Sequence, residues 1–475
     1  MRIIDQIYID GAFVTPHGTE MFDLHNPATE AVIGQVRLGD IADTHAAVAA
    51  AKRAFVTFSR TTRAERIALL KRLHAAVLAR AEAMGVAMTL EYGAPQSRAT
   101  WTGSYSAEAF LNAATVLETY EFSRRVGHAE VVMEPVGVVG VITPWNSNAG
   151  FICSKLAMAV AAGCSVVIKP SEMSAIQTQV VLEALHEAGL PKGLLNVVNG
   201  RGDVVGAELS RHPDVAKISF TGSTVVGKAI LTAGADTMKR VTLELGGKSP
   251  TLILDDADLA AAIPMAVSAG FVNSGQACIA GTRILVPEAR IDAVKALIVQ
   301  AVAKVKSGDP RDPDTEIGPM VSEKQWLRVQ RYICLGVEEG ATLIAGGEGR
   351  PEGIDRGYFI RPTVFADVRS DMTIAREEIF GPVLSVITYR SEAEAIAIAN
   401  DTTYGLQAVV LSGDPARARN VAAQLNAGRV LINTLEHEPL APFGGFKQSG
   451  LGREGGTFGL EAHLEPKSVL GVFVD

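Results

Sequence analysis

One cysteine lies in a turn-forming segment where its thiol could do covalent chemistry. Residues 271–283 read F-V-N-S-G-Q-A-C-I-A-G-T-R, with Cys278 near their centre. An apolar run, 260–272, leads up to the segment and a strand-like run, 282–286, follows it, so the thiol stands where an apolar helix ends. The neighbouring Ala277 is small and leaves the sulfur approachable. Cys278 is a candidate nucleophile, although a lone cysteine is more often a small buried hydrophobe.

An acid and an asparagine end two other strand-like stretches. The sequence E-L-G-G-K places Glu244 at a strand end before two glycines. Such an acid can be a general base if burial raises its pKa, but more often it is a solvated loop residue. In T-P-W-N, Thr143 to Asn146, the asparagine amide can donate to a developing oxyanion or cap the following helix. Neither segment decides between its two roles by itself.

Two further strand ends have the chemistry of a dinucleotide site. In K-P-S-E, Lys169 to Glu172, the final carboxylate can accept both hydroxyls of an adenosine ribose, or it can be an ordinary acid at a helix N-terminus. In F-T-G-S-T-V-V-G, Gly222 allows a turn and Ser223 opens a helix whose free amides favour a pyrophosphate. The usual G-x-G-x-x-G fingerprint is absent, so this signal is weak alone.

These residues are positioned by alternating strands and helices. From Val138 to Leu245, short apolar strands alternate with helical segments, and a second series follows Gly247 to about Asn433. Fully apolar short strands between helices indicate parallel sheets covered on both faces, an α/β architecture with two doubly wound domains. Helical periodicity also marks three segments before Val138: Ala46–Phe58, Ala64–Met88 and about Ser104–Tyr120. An apolar strand at the chain end, Lys467 to Val474, suggests pairing with a neighbour's sheet edge and hence an oligomer.

The bulk composition excludes several classes of function. The chain has 475 residues, so two or three domains are expected, and its net charge of −8 argues against a nucleic-acid partner. Four cysteines without a C-x-x-C pair argue against a disulfide framework. The sequence contains no H-E-x-x-H motif, so it gives no sign of a metal site. The N-terminus does not resemble a signal peptide, and no apolar run is long enough for a membrane span. A reducing cytoplasm is the expected location.

Seven motifs occur together, in one order, over nearly the whole chain. They are P-W-N, K-P-S-E, F-T-G-S, E-L-G-G-K, G-Q-x-C, E-E-x-F-G-P and P-F-G-G-x-K-x-S-G-x-G-R-E. This combination resembles the aldehyde dehydrogenase superfamily. The spacing from Glu244 to Cys278, 278 − 244 = 34 residues, is also similar to that family's pattern.

The resemblance implies a role for each matching residue. Cys278 would attack the aldehyde carbonyl, and Asn146 with the Cys278 amide would hold the oxyanion. After hydride transfer to nicotinamide, Glu244 would activate water to hydrolyse the thioester, and Lys155 matches a lysine of the active-site network. Lys169 and Glu172 would hold the adenosine ribose, Ser223 the pyrophosphate and Glu378 the nicotinamide ribose, beside Phe380. The complete implied cofactor set is Thr143, Trp145, Lys169, Ser171, Glu172, Gly222, Ser223, Glu378 and Phe380.

The resemblance also implies a domain plan. Residues 1–115 and 136–247 would form the dinucleotide-binding domain and 248–445 the catalytic domain. Residues 116–135 and 460–475 would form a small β oligomerisation element. The expected cofactor is NAD rather than NADP, and the expected partners are an aldehyde and further copies of the chain, as a homodimer or homotetramer.

Two departures from the family pattern concern the substrate tunnel. Ser147 and Ser154 stand where many relatives have bulky residues, so the tunnel helix is less bulky and more polar. The loop T-L-E-H-E-P-L-A holds no aromatic ring, which disfavours a betaine-aldehyde enzyme because its ammonium needs an aromatic cage. Two alternatives remain. A CoA-acylating semialdehyde dehydrogenase is disfavoured because Glu244 can serve as a base for hydrolysis. An inactive structural relative is disfavoured because Cys278, Glu244 and Asn146 are all intact.

Overall fold

The computed structural model describes residues 2–473 and contains two large sheets flanked by helices. Its first half contains β1 Arg2–Ile4, β2 Ile7–Ile9, β3 Ala12–Val14, β4 Met21–His25, β5 Val32–Arg37, α1 Ile41–Phe58, α2 Arg63–Leu78, α3 Ala81–Glu91, α4 Gln96–Thr119, β6 Ser123–Val126, β7 Ala129–Pro135, β8 Val138–Ile142, α5 Asn148–Ala162, β9 Ser165–Lys169, α6 Ala175–Glu187, β10 Leu195–Val197, α7 Ala207–Arg211, β11 Val215–Thr221, α8 Thr224–Gly234 and β12 Arg240–Glu244. The second half contains β13 Pro250–Ile253, α9 Leu259–Phe271, β14 Arg283–Pro287, α10 Ile291–Val302, α11 Glu323–Glu338, β15 Thr342–Ala345, β16 Thr363–Ala366, α12 Thr373–Arg376, β17 Val383–Tyr389, α13 Glu392–Asn400, β18 Gln407–Leu411, α14 Pro415–Ala422, β19 Arg429–Ile432, β20 Gly450–Leu451, α15 Gly456–Glu461 and β21 Leu464–Leu470.

The first large sheet has the strand order β20-β12-β11-β8-β9-β10-β2-β3. Its five central strands, β12 to β10, are parallel, while β20, β2 and β3 pair antiparallel at the two edges. Strands β8 and β9 are buried along their whole length, as their continuous apolar sequences predict. The carboxyl ends of β8, β9, β11 and β12 therefore meet at one edge of the sheet.

The second large sheet has the order β15-β16-β17-β14-β13-β18-β19 and is parallel except for β15. The apolar helix α9 packs against this sheet and ends at Phe271, seven residues before Cys278. Two doubly wound α/β sheets are thus present, which confirms the predicted fold class.

The helices before the first sheet differ from their predicted bounds. The stretch Ala64–Met88 is two helices, α2 and α3, bent by 58°, because residues 79 and 80 leave the α2 path. Helix α4 begins eight residues earlier than predicted, directly after Pro95, whose fixed φ is compatible with a helix start. The earlier start places Arg98 and Trp101 on a helix.

Two small sheets complete the described chain. Strands β21, β7 and β6 form an antiparallel sheet. Strands β1, β5 and β4 form a mixed sheet that the sequence did not predict, with β1 parallel and β4 antiparallel to β5. The predicted terminal strand ends at Leu470, and its last predicted residue, Val474, lies outside the described residues. Within residues 2–473 no single helix is both long and apolar enough to cross a membrane, and α2 with α3 reaches that length only as a bent pair.

Candidate active site

A cavity of about 320 Å³ lies between the two large sheets. Its lining includes Asn146, Lys155, Glu244 and Cys278, the four residues predicted as catalytic. These residues come from α5 and the loop before it, from the end of β12 and from the turn after α9. The fold thus brings the whole predicted catalytic set to one cavity.

Cys278 is placed by a left-handed turn that follows α9. Asn273, Ser274 and Gly275 have φ of 54°, 58° and 72°, a conformation that L residues rarely adopt. The turn is fixed by Gln276, a fully buried residue whose amide donates to Tyr92 and to the Pro319 carbonyl. Because the chain reverses here, the Cys278 thiol faces the cavity instead of the helix core.

The environment of Cys278 keeps its thiol protonated. Burial and the negative charges of Glu378 and Glu244 raise the pKa of Cys278 to about 12, although the Arg429 charge acts in the opposite direction. A thiolate is the nucleophilic form, so the proton must leave as the sulfur attacks. Among residues 2–473, the backbone N–H of Cys278 donates to no backbone carbonyl and faces its own sulfur, beside which an oxyanion would form.

Asn146 lies beside the cysteine turn. Its side-chain amide donates to the Gln276 carbonyl at 2.9 Å, and its own carbonyl accepts from Asn273 Nδ2 at 3.1 Å. A primary amide carries two N–H donors, so one remains for a substrate oxygen. The N-cap residue of α5 is Ser147, whose side chain makes no capping hydrogen bond. Asn146 therefore does not cap this helix.

Glu244 is buried with both carboxylate oxygens lacking a hydrogen-bond partner among residues 2–473. Burial and the neighbouring charge of Glu454 raise its pKa well above the ordinary value, while Lys155 and Arg453 lower it. A carboxyl group in such a place can take a proton near neutral pH, as a general base must. The solvated-loop alternative for Glu244 is therefore wrong.

Lys155 joins an ion pair that the sequence did not single out. Its ammonium donates to Ser219 Oγ at 3.1 Å and to the carboxylate of Glu454. Lys155 is buried and Glu454 also lines the cavity. Glu454 ends the G-x-G-R-E part of the last motif, so the motif contained the residue but gave no reason to connect it with Lys155.

Several residues predicted to bind the cofactor lie at the carboxyl edge of the first sheet. Lys169 ends β9, and its ammonium pairs with Glu172 at 2.9 Å. Ser171 caps the short turn that carries Glu172. Gly222 follows β11, where a Cβ would overlap the Phe220 ring, and Ser223 caps α8 by accepting from the Val226 N–H. A helix N-terminus and a partly exposed carboxylate at this edge fit a pyrophosphate and a ribose.

A second group of predicted cofactor residues lies between the sheets. Glu378 accepts from the Gly247 N–H at 2.9 Å, and burial raises its pKa to about 7. Phe380 packs edge-on against Trp145 with ring centroids 5.4 Å apart. Thr143 donates to Asn148 inside the protein, so its hydroxyl is already used. The predicted cofactor residues therefore do not form one cluster. Lys169 contacts Glu172, Trp145 contacts Phe380, and Glu378 contacts the backbone of Gly247.

The cavity also has basic and aromatic lining residues that the sequence analysis missed. They are Arg98, Trp101, Tyr105, Arg429 and His437. Helical spacing on α4 could have grouped the first three, but α4 was predicted to begin after two of them. Among residues 2–473, no group of three or more His, Cys, Asp or Glu side chains is arranged to hold a metal ion.

The chain is similar to known proteins over nearly its full length. The sequence model of the aldehyde dehydrogenase family matches residues 13–469. A 3-succinoylsemialdehyde-pyridine dehydrogenase of a Pseudomonas species is 46% identical, with 99% of each chain covered. A mutant aldehyde dehydrogenase C of Pseudomonas syringae, solved with NAD⁺ and octanal, is 45% identical with a TM-score of 0.97, covering 98% of this chain and 96% of that one. An aldehyde dehydrogenase of Mycobacterium tuberculosis, solved with NAD⁺, is 41% identical with a TM-score of 0.96 and full coverage of both chains. The chain belongs to the aldehyde dehydrogenase family.

Proposed function

We propose that this enzyme oxidises an aldehyde to the carboxylic acid with NAD, through a thioester on Cys278. The observation that carries the proposal is the shared cavity of a half-buried thiol, a free asparagine amide proton and an unpaired buried carboxyl group. These are the nucleophile, oxyanion donor and base that aldehyde oxidation by covalent catalysis requires.

The residues act in a fixed order. The Cys278 thiol gives its proton to water in the cavity as the sulfur bonds to the carbonyl carbon, and the Asn146 amide and the Cys278 N–H stabilise the oxyanion of the thiohemiacetal. Bound NAD supplies the acceptor for the hydride that leaves this carbon, and a thioester remains on the cysteine. Glu244 then takes a proton from water, which attacks the thioester, so that the carbon–sulfur bond breaks and the acid is released.

The cofactor site is proposed from the residues at the sheet edge. Glu172, held by Lys169, accepts from the ribose hydroxyls, and the start of α8 at Ser223 receives the pyrophosphate. Glu378 holds the second ribose, while Trp145 and Phe380 form an apolar wall. The solved relatives that contain NAD⁺ support NAD as the cofactor.

The organisation of the molecule is proposed on the same basis. Residues 1–115 and 136–247 serve as the cofactor domain and 248–445 as the catalytic domain, with α4 crossing the first boundary. The small sheet of β21, β7 and β6 supports an oligomerisation element, and we propose a cytoplasmic homodimer or homotetramer.

The test is NADH formation with a panel of aldehydes, with and without CoA. We expect NADH from at least one aldehyde, the free acid as product, and no dependence on CoA. The Cys278→Ser variant should lose NADH formation while binding NAD nearly as before, because a serine hydroxyl is almost never ionised at neutral pH. An acyl-CoA product would favour the CoA-acylating alternative, and the absence of NADH with every aldehyde would favour the inactive one.

A further inference from the structure

The cavity has a basic and aromatic wall on helix α4. Arg98, Trp101 and Tyr105 stand at helical spacing on one face, and all three line the cavity. The Arg98 guanidinium lies 4.3 Å from the centre of the Trp101 ring, and Trp101 stacks on Tyr105 with centroids 4.4 Å apart and planes at 18°. The three side chains therefore form one continuous stack, here called the α4 stack.

Within residues 2–473, the positive charge of Arg98 has no anionic partner. Its Nε is buried with no hydrogen-bond acceptor among residues 2–473, and no acid in that part of the chain forms an ion pair with it. Burial lowers the pKa of Arg98, but a guanidinium remains charged in proteins. Leaving such a group unpaired is costly, and an incoming anion would remove the cost.

Arg429 brings a second guanidinium to the same wall. It begins β19, and its Nε donates to Gln407 at 2.7 Å while one terminal nitrogen bonds His437 Nδ1 at 2.8 Å. Its partners are neutral, so its charge is not compensated by a carboxylate in residues 2–473. The second terminal nitrogen also donates to Gln407, so three of the five N–H donors of Arg429 are used and two remain for a ligand.

The hydrogen bonds of His437 fix a third donor. Arg429 can only donate, so Nδ1 of His437 must accept and the ring proton stays on Nε2. Partial burial and the Arg429 charge lower the pKa of His437, which favours this neutral ring. Nε2 lies 3.3 Å from the Tyr105 hydroxyl and donates to it. The hydroxyl proton of Tyr105 is then left to donate into the cavity.

The acids that line the cavity do not neutralise this wall. Glu454 is paired with Lys155, and neither carboxylate oxygen of Glu244 bonds a donor of this wall in residues 2–473. The exposed Glu438 on the neighbouring loop is engaged by the Leu440 N–H. Two guanidinium groups and one hydroxyl donor therefore face a cavity whose reactive end is Cys278.

From this arrangement we propose that the physiological substrate is an aldehyde with a carboxylate at its far end. The inference rests on the proposed function and adds the substrate class. The aldehyde carbon reaches Cys278, the carboxylate bonds Arg98 and Arg429 with the Tyr105 hydroxyl, and the intervening carbons pass the apolar faces of Trp101 and Leu435. Arginine suits this role because its planar fork matches the two oxygens of a carboxylate.

The test compares two aldehydes of equal length, adipic semialdehyde and hexanal. In the wild type we expect kcat/KM for adipic semialdehyde to exceed that for hexanal by about ten-fold, and rising salt to reduce this ratio. Arg98→Gln should lower the ratio by about ten-fold, and Arg98→Lys should restore part of it, since lysine keeps the charge without the fork. Arg311→Gln, a change on the exposed surface, is the matched control and should not alter the ratio.

Binding of adipate measured by calorimetry on the NAD-loaded enzyme gives a readout independent of turnover. We expect Arg98→Gln to weaken adipate binding by about ten-fold relative to the Arg311→Gln control. Equal kcat/KM for the two aldehydes in the wild type, or a ratio unchanged by Arg98→Gln, would overturn the proposed substrate class. Failure to form NADH from either aldehyde would instead count against aldehyde oxidation itself.

Discussion

Glu244 combines complete burial with two oxygens that bond nothing in residues 2–473. An unpaired carboxyl group in such a place costs stability, and protonation reduces that cost. The same features leave the group free to approach either a water molecule or the thioester. A buried acid that serves only structure would be bonded, as Glu91 is by two backbone N–H groups at the start of α6.

The Glu244→Gln variant should separate the two halves of the reaction. Glutamine keeps the size of the side chain but cannot take a proton, so acylation proceeds and hydrolysis stops. We expect one equivalent of NADH per active site in a rapid-mixing experiment, followed by very slow turnover. Mass spectrometry of the quenched enzyme should show an acyl adduct on Cys278. Loss of both burst and adduct would mean that Glu244 first deprotonates Cys278.

The pH dependence of turnover, compared between the wild type and Glu244→Gln, tests whether Glu244 is the base. In the wild type, the base form of Glu244 is lost as pH falls through a pKa that burial and Glu454 hold above the ordinary range. Turnover should therefore decline on the acid side at a pH above that of an ordinary glutamate, while the slow turnover of Glu244→Gln should lack this decline. A retained decline would assign it to another group.

Glu172 determines the predicted preference for NAD over NADP. Its carboxylate pairs with the buried Lys169, so the lysine charge is already compensated and a 2′-phosphate would meet the carboxylate. We expect kcat/KM with NAD to exceed that with NADP, and Glu172→Gln to shift the ratio toward NADP by freeing Lys169. Glu288→Gln, in an exposed pair with Arg390 on the other large domain, is the control. A wild-type preference for NADP would contradict this prediction.

Residue types and spacing pointed to Cys278, Glu244 and Asn146 because each lies at or just after the end of a strand or helix that the apolar pattern marks. Lys155, which lies inside α5, was predicted only from the resemblance. Glu454 was not predicted because its partner is remote in sequence, and the α4 stack was missed because α4 begins eight residues before its predicted start. Lys155 and Glu454 are 299 residues apart, and Tyr105 meets His437 across 332. Such contacts depend on how two domains pack, which a local pattern does not contain.

The turn between α9 and β14 is the element on which Cys278 depends. Its three left-handed residues give no periodic signal, so the sequence predicted a turn but not its hand. At Gly275 a Cβ would overlap the Gly381 carbonyl group, which shows how closely this turn packs against the loop after Phe380. The break between α2 and α3 was missed for a related reason, since neither Gly nor Pro marks it.

Gly275→Ala tests the turn as an element. The substitution places a side chain at φ of 72° and also pushes Gly381 away, so the thiol moves relative to Asn146. We expect kcat/KM to fall by about a hundred-fold, since displacements near 1 Å have such effects. Gly189→Ala is the matched control: Gly189 has the same φ of 72° but open space around it. It should cost about 1–2 kcal/mol of stability with little effect on kcat/KM.

At the scale of the whole molecule, β21 and β6 are the edge strands of the small sheet and pair with no further strand within residues 2–473. Strand β6 is exposed along its whole length, and Leu470 on β21 is 76% exposed. Leu470 and Val126 both lie opposite Ala129, so they share one row across the sheet. Uncovered edges and apolar side chains of this kind are typical of surfaces that another chain covers.

The Val126→Asp variant tests whether this sheet is the subunit contact. Val126 is 54% exposed in the single chain, so an aspartate there should leave the fold of one subunit intact, whereas burial of its charge between subunits would be costly. By size-exclusion chromatography with light scattering, we expect the wild type to be a dimer or tetramer and Val126→Asp to have a lower mass. Val56→Asp is the control, because Val56 on α1 is also 54% exposed but lies outside the small sheet. If both variants keep the wild-type mass, the subunits meet elsewhere, and if the wild type is itself monomeric, the small sheet has another role.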